Sequence, residues 1–135
     1  MERSREVADA LVRFYEAFGV AEAFDSVVAP DPDAMAIGTD RRVDNRDAWQ
    51  AAFGSLAGVT VERGEIQGFR QESVGWVVDD PTFVLPDGRS LRTRLTAVAR
   101  EEDDSWKLVQ VHFSVAVPDE VALAEAAGWE TANPA

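Results

Sequence analysis

Few side chains in this sequence could move a proton or attack a bond. The single histidine, His112, and Ser114 two residues on are the types that serve as base and nucleophile. A Ser-His-Asp relay also needs its serine on a sharp elbow, and no Gly-x-Ser-x-Gly stretch occurs. Tyr15, the only tyrosine, can donate its phenol to a developing oxyanion; the structural alternative is a half-buried tyrosine one step off an apolar helix stripe. Asp80 is the main catalytic candidate, because strand register places it on an apolar wall where lost hydration suits a carboxyl to general acid or base work. Its alternative is a rim position, with Pro81 breaking the ladder and Asp80 solvated. One histidine and no cysteine leave mainly carboxylates as metal ligands, and Glu101-Glu102-Asp103-Asp104 reads as a solvated turn, so no metal is expected. Gly64, Gly68 and Gly75 are scattered, form no phosphate loop and suggest bulges or bends; no cofactor is expected either.

The elements that must position these groups are helices first, then strands. Val7, Ala10, Leu11, Phe14 and Phe18 recur at helical spacing until Gly19, and Val20, Phe24, Val27 and Val28 continue in a second, short helix ended by Pro30. Ala34–Thr39 reads as a brief strand and Asp40–Asp44 as a polar turn. Asp44 or Asn45 can cap a third helix whose stripe is Ala48, Trp49, Ala52, Phe53 and Leu56, closed by Gly58. The period then becomes two, in four extended segments: Val59–Gln71, Ser73–Leu85, Arg89–Glu101 and Trp106–Val117. Asp119 can cap a short last helix through Ala127, ended by Gly128.

Register decides which side chains share a wall. A two-residue Asp87-Gly88 turn pairs Leu85 with Ser90 and Asp80 with Leu95. Trp76, Val78, Asp80, Thr82 and Val84 then face inward with Leu91, Thr93, Leu95 and Ala97. In the last hairpin the apolar series of both strands must look the same way, which an odd-length or bulged turn at Asp103 achieves; it aligns Leu95 with Val111 and Ala97 with Val109. Val111 and Phe113 join the wall, and Phe14, Phe18, Trp49 and Phe53 approach from the helices. The expectation is an aromatic-rich concavity for a small hydrophobic, cyclic molecule, although the same aromatics could simply fill a core. His112 and Ser114 fall on the outer face, opposite Arg94 and Arg92, with Gln110 opposite Thr96. Trp106, Leu108, Val77 and Phe83 share that face, which has the composition of a homodimer interface.

Composition bounds the partners. The 135 residues suit one domain, and 46% hydrophobic residues with four Trp and seven Phe can supply its core. With 13 Lys+Arg against 25 Asp+Glu, the formal charge of −12 disfavours nucleic acid and anionic lipid surfaces. No run approaches the roughly 20 apolar residues of a spanning helix, and the polar start Met1–Glu6 lacks a signal peptide's apolar segment, so a cytoplasmic protein is expected. Disulfides are excluded by the missing cysteines.

Helices on one apolar sheet face make an α+β sandwich. The stretch Ala10–Phe18, the segment Ala36-Ile37-Gly38-Thr39-Asp40 before Arg46-Asp47-Ala48-Trp49, and above all Arg94-Leu95-Thr96, Trp106-Lys107-Leu108-Val109 and His112-Phe113-Ser114 resemble the SnoaL-like branch of the nuclear-transport-factor-2-like superfamily over residues 5–118. The resemblance implies a cone: a curved antiparallel sheet wrapped around N-terminal helices, with a ligand cavity between, often dimeric. It implies no single function, since that superfamily holds cyclases, isomerases, hydrolases, dehydratases and noncatalytic assembly domains. Ketosteroid isomerase residues match Phe14, Gly38 and Thr96 here, and none of these can do acid–base work; Asp40 lies two residues past the base position. Three readings follow: cofactor-free cyclisation, isomerisation or hydration by Asp80 with Tyr15 or Trp49 orienting the ligand; a binding module without turnover; and an assembly domain.

Overall fold

Helix α1 (Arg5–Ala17) begins where the Ser4 hydroxyl accepts the Val7 amide at 3.2 Å, satisfying one of the otherwise unpaired first-turn donors. Its buried stripe of Val7, Ala10, Leu11 and Phe14 lies across the sheet. Gly68 and Gly75 are where it touches down. A Cβ on Gly68 would stand 2.6 Å from Ala8 N and Ser4 O, and one on Gly75 would stand 2.6 Å from Val7 Cγ2. Both glycines therefore serve as clearance under the helix rather than as the bends expected from sequence. Gly19, at φ +78°, turns the chain out of α1.

The computed structural model describes residues 1–39 and 41–132, with the side chains of the last helix described to residue 125. Asp40 lies outside the described residues. The expected second helix is a 3₁₀ turn (Ala21–Ala23) followed by α2 (Phe24–Val27). Strand β2 (Met35–Ile37), within the expected Ala34–Thr39, and β3 (Arg42–Val43), within the expected polar turn, form a small hairpin closed by Gly38 N donating to Arg41 O at 2.8 Å. Helix α3 (Arg46–Gly54) is capped by Asn45, whose side chain accepts the Ala48 amide. Arg46 anchors its start: the guanidinium donates to Ala29 O and Asp25 and lies 4.9 Å over the Phe24 ring.

The remaining strands are β1 (Glu2–Arg3), β4 (Thr60–Glu62), β5 (Gln67–Gln71), β6 (Val74–Asp79), β7 (Thr82–Val84), β8 (Ser90–Glu102) and β9 (Ser105–Val115). They order as β1-β5-β6-β8-β9-β2-β3, with β7 bridging β8 and β4. All pairs are antiparallel except β2 with β9, so the curved sheet is mixed. Each of the first two extended segments is divided, one at residues 63–66 and the other at Asp80-Pro81. Helix α4 (Asp119–Ala132) runs past Gly128, longer than expected. No helix among the described residues is long and apolar enough to cross a membrane.

Two turns correct the register. The β7–β8 loop has three residues: Leu85 N donates to Arg89 O at 2.8 Å and Gly88 N to Leu85 O at 2.9 Å, with Gly88 at φ +90°. Pro86 explains this, because a two-residue loop would place it in the ladder without an N–H, whereas its fixed φ suits the second residue of a type I turn. Every pairing moves by one, so Val84 faces Ser90 and Asp79, not Asp80, faces Leu95. Between β8 and β9 the turn has two residues, Asp103 and Asp104, both at positive φ. The parity is restored higher up, by a bulge that leaves Val109 unpaired between Ala99↔Leu108 and Val98↔Gln110. Leu95 therefore faces Phe113, Ala97 faces Val111, Thr96 faces His112 and Arg94 faces Ser114.

A Gly68→Ala variant forces backbone against backbone under α1 and should lose about 1–3 kcal/mol of stability, measured by urea unfolding.

Candidate functional site

A cavity of about 280 Å³ lies between α1, α3, the β2–β3 hairpin and β9. Phe14 and Phe18 come from α1 and its cap, Trp49, Ala52 and Phe53 from α3, Ala36 and Val43 from the hairpin, and Val111 and Phe113 from β9. Gly38, Thr39, Arg41, Ser55 and Leu56 complete its lining. The aromatic rings pack edge-on or tilted: Phe14 to Phe53 at 5.6 Å, Phe14 to Trp49 at 6.1 Å and Phe18 to Phe53 at 5.7 Å between centroids. Phe83 closes one side against both Phe18 and Phe113, each at 5.4 Å. Among the described residues no carboxylate or imidazole lines this cavity.

The buried acid is elsewhere. Asp79, 2% exposed, accepts the Tyr15 hydroxyl at 2.7 Å and the Gly64 amide at 3.0 and 3.3 Å. This arrangement pins the 63–66 segment to α1, and it leaves no described buried polar side-chain atom without a partner. Burial and the neighbouring Asp79 and Asp80 charges push the Tyr15 phenol far above its ordinary range, so it stays protonated and donating. Neither Tyr15 nor Asp79 lines the aromatic cavity. Tyr15 instead borders an open groove on the far side of Phe18, with Glu16, Val61 and Arg63.

The sequence candidates separate accordingly. Phe14, Phe18, Trp49, Phe53, Val111 and Phe113 meet around the cavity; Leu95 and Ala97 are buried on the same sheet face but do not reach its surface. Asp80 is exposed, and Trp76 and Val78 lie on the opposite face, because the three-residue loop reverses the parity of β6. Val77 and Phe83, expected outside, are buried inside for the same reason. Arg94, Thr96, His112 and Ser114 are exposed on the outer face. Trp106 and Leu108, expected there too, are buried because the Val109 bulge turns them inward. Trp106 is held beneath α1, its indole donating to Glu6 at 3.3 Å and its carbonyl accepting from Arg13 at 3.0 Å. Sequence reasoning missed the hairpin contribution of Gly38, Thr39, Arg41 and Val43; the turn-forming Gly38-Thr39 at the end of a short strand was the available signal.

A SnoaL-like domain model matches residues 7–118. The chain belongs to the SnoaL-like domain family. Solved structures agree on the nuclear-transport-factor-2-like, cystatin-like fold of this SnoaL-like domain. A putative dehydratase of the NTF2-like family from Streptomyces avermitilis is 18% identical, with TM-score 0.75, covering 84% of this chain and 95% of that one. An uncharacterized protein with a cystatin-like fold from Caulobacter vibrioides is 18% identical, with TM-score 0.69, covering 90% and 95%. A putative calcium/calmodulin-dependent protein kinase type II association domain from Thiobacillus denitrificans is 24% identical, with TM-score 0.66, covering 80% and 93%. Comparison with curated proteins finds no match.

The Tyr15–Asp79 contact of the SnoaL-like domain has a pH signature. The fold favours the protonated phenol, so its contribution is fully present below pH about 10 and falls above it, by about 1.4 kcal/mol per pH unit. Ultraviolet titration of this sole tyrosine should show no phenolate until the alkaline unfolding transition. Tyr15→Phe should cost about 1–3 kcal/mol at neutral pH, by leaving a buried carboxylate oxygen short of a donor, and should flatten the alkaline slope.

Proposed function

We propose that this SnoaL-like domain binds a small, hydrophobic, cyclic molecule in the cavity between α1, α3 and β9, and does so without turnover by Asp80 or Tyr15. The observation that carries the reading is the lining itself, five aromatic side chains around a partly open cavity with few polar groups. At about 280 Å³ the space falls near the lower end of the roughly 300–1,000 Å³ common for ligand pockets, which suits one or two rings. Acid–base turnover of the cyclase, isomerase or hydratase kind needs a titratable group in reach of the ligand. Asp80 faces solvent, while the Tyr15 hydroxyl and its Asp79 partner are engaged with each other outside the cavity. The dehydratase description of the Streptomyces avermitilis protein supports the catalytic alternative only by shared fold.

A homodimer through the outer sheet face is a second, compatible reading, and a specific patch favours it. Val74 and Val78 are 47% and 42% exposed there, beside the stacked pair Phe69–Trp76. Thr96 and His112 continue the row from Val78, and Ile37 follows them on β2. Contiguous apolar surface of this kind is costly to leave in water.

Titration with 2-naphthol, followed by tryptophan fluorescence through Trp49, tests the first reading. Saturable binding is expected, weakened at least roughly tenfold by Ala52→Phe, which fills the cavity, and unaltered by Asp80→Asn; absence of binding would overturn it. For the second, sedimentation equilibrium should give a dimer that Val78→Glu converts to a monomer, and a monomeric parent would refute it.

A further inference from the structure

We infer that the ligand of the aromatic cavity carries a carboxylate, which docks on Arg41 at the cavity mouth. This deepens the binding reading above and rests on it. Arg41 is the one charged side chain among the described residues that line the cavity. Its place is fixed by the backbone: Gly38 N donates to Arg41 O at 2.8 Å, closing the β2–β3 turn and setting Arg41 at the rim. The neighbouring arginines have other tasks. Arg42 pairs with Asp44, and Arg46 is tied to Asp25 and the Ala29 carbonyl. Arg41 forms no ion pair with any described carboxylate, although the chain has nearly twice as many acids as bases.

Its surroundings favour an anion with an apolar body. Arg41 also lines an open groove beside Arg42, Asp44, Ala48 and Ala51, in which Asp44 is already paired with Arg42, so Arg41 spans the partition between the cavity and solvent. A guanidinium there presents a planar fork of donors whose geometry matches a carboxylate, beside walls that hold few competing polar groups. Thr39 offers a hydroxyl at the same rim. A ring between Phe14, Phe53 and Phe113 would thus lie inside, with its carboxylate at the wet end.

The whole-molecule charge makes the test discriminating. A formal charge of −12 attracts cations and repels anions at long range, an effect screened beyond about 8 Å at physiological salt. Arg41 acts by contact, in the opposite sense. Calorimetric titration at about 0.15 M salt with 2-naphthoate, 2-naphthamide and 2-naphthylmethylammonium separates the two. The expected order is naphthoate tightest, by roughly tenfold over the amide, and the ammonium weakest. Arg41→Gln should bring the naphthoate-to-amide ratio close to one, and Arg41→Lys should keep part of it, since the charge remains and the fork is lost. Equal binding of naphthoate and naphthamide, a preference for the ammonium, or a ratio that survives in Arg41→Gln would overturn the carboxylate assignment while leaving the cavity reading intact. Failure of all three probes to bind would overturn both.

Discussion

The paired inner faces of β8 and β9 are the constraint from which the rest of the molecule follows. Leu95, Ala97 and Ala99 on one strand and Leu108, Val111 and Phe113 on the other must all look toward α1, because each would otherwise leave apolar surface in water and open a hole beneath the helix. A two-residue turn at Asp103-Asp104 cannot achieve this alone. The Val109 bulge supplies the missing step, and it divides β9 into two parts with different tasks. Below the bulge, Trp106 and Leu108 support α1; above it, Val111 and Phe113 line the cavity and His112 is left outside.

The second organising contact is polar. A carboxylate buried to the degree of Asp79 is tolerated only when its oxygens are satisfied, and the Tyr15 phenol and Gly64 amide do that. The geometry also explains why Gly64 suits its position: a Cβ there would stand 2.9 Å from Asp79 Oδ1 and 3.0 Å from Asp80 O. The contact joins α1 to the irregular segment between β4 and β5, where no ladder hydrogen bonds are available. Its hydrogen bonds account for its burial without any substrate.

Much of this was legible in the sequence. The period of Val7, Leu11 and Phe14 marked α1, the Asp44-Asn45 pair marked the start of α3, which Asn45 caps, and the shared parity of Leu95 and Phe113 placed His112 on the back of the sheet. What was not legible was a one-residue choice made at two places. Asp87-Gly88 is the dipeptide of a tight hairpin, yet the preceding proline cannot donate to a ladder, and that local conflict moved β6 by one residue. Trp76, Val78 and Asp80 went outward, and Val77 and Asp79 inward. The Val109 bulge has no residue signature of its own, since valine fits a regular strand equally well. Only the need to bury Trp106 together with Phe113 reveals it, and that need is a property of the assembled sheet. The first strand of the hairpin at the cavity mouth was legible in Ala34–Thr39, but its second, Arg42–Val43, escaped, because a two-residue strand has too few side chains to show a period.

Among the described residues, the lack of a carboxylate or imidazole on the cavity wall is a matter of residue type rather than of space. Gly38 stands where ketosteroid isomerase resemblance places a base, and a Cβ there would meet Arg41 O at 3.6 Å and the Phe113 ring at 3.7 Å, both ordinary contacts. The backbone could therefore carry a side chain toward the mouth, and this sequence leaves it bare. Thr96, at the position of that enzyme's second acid, lies on the outer face opposite His112. Phe14, in place of its tyrosine, adds a ring to the cavity instead of a hydroxyl. Gly38 and Phe14 thus exchange a proton-handling group for open room and apolar surface, and Thr96 does not face the cavity. The described lining is apolar except at its rim, and on that arrangement the proposed binding of a ring by burial rests.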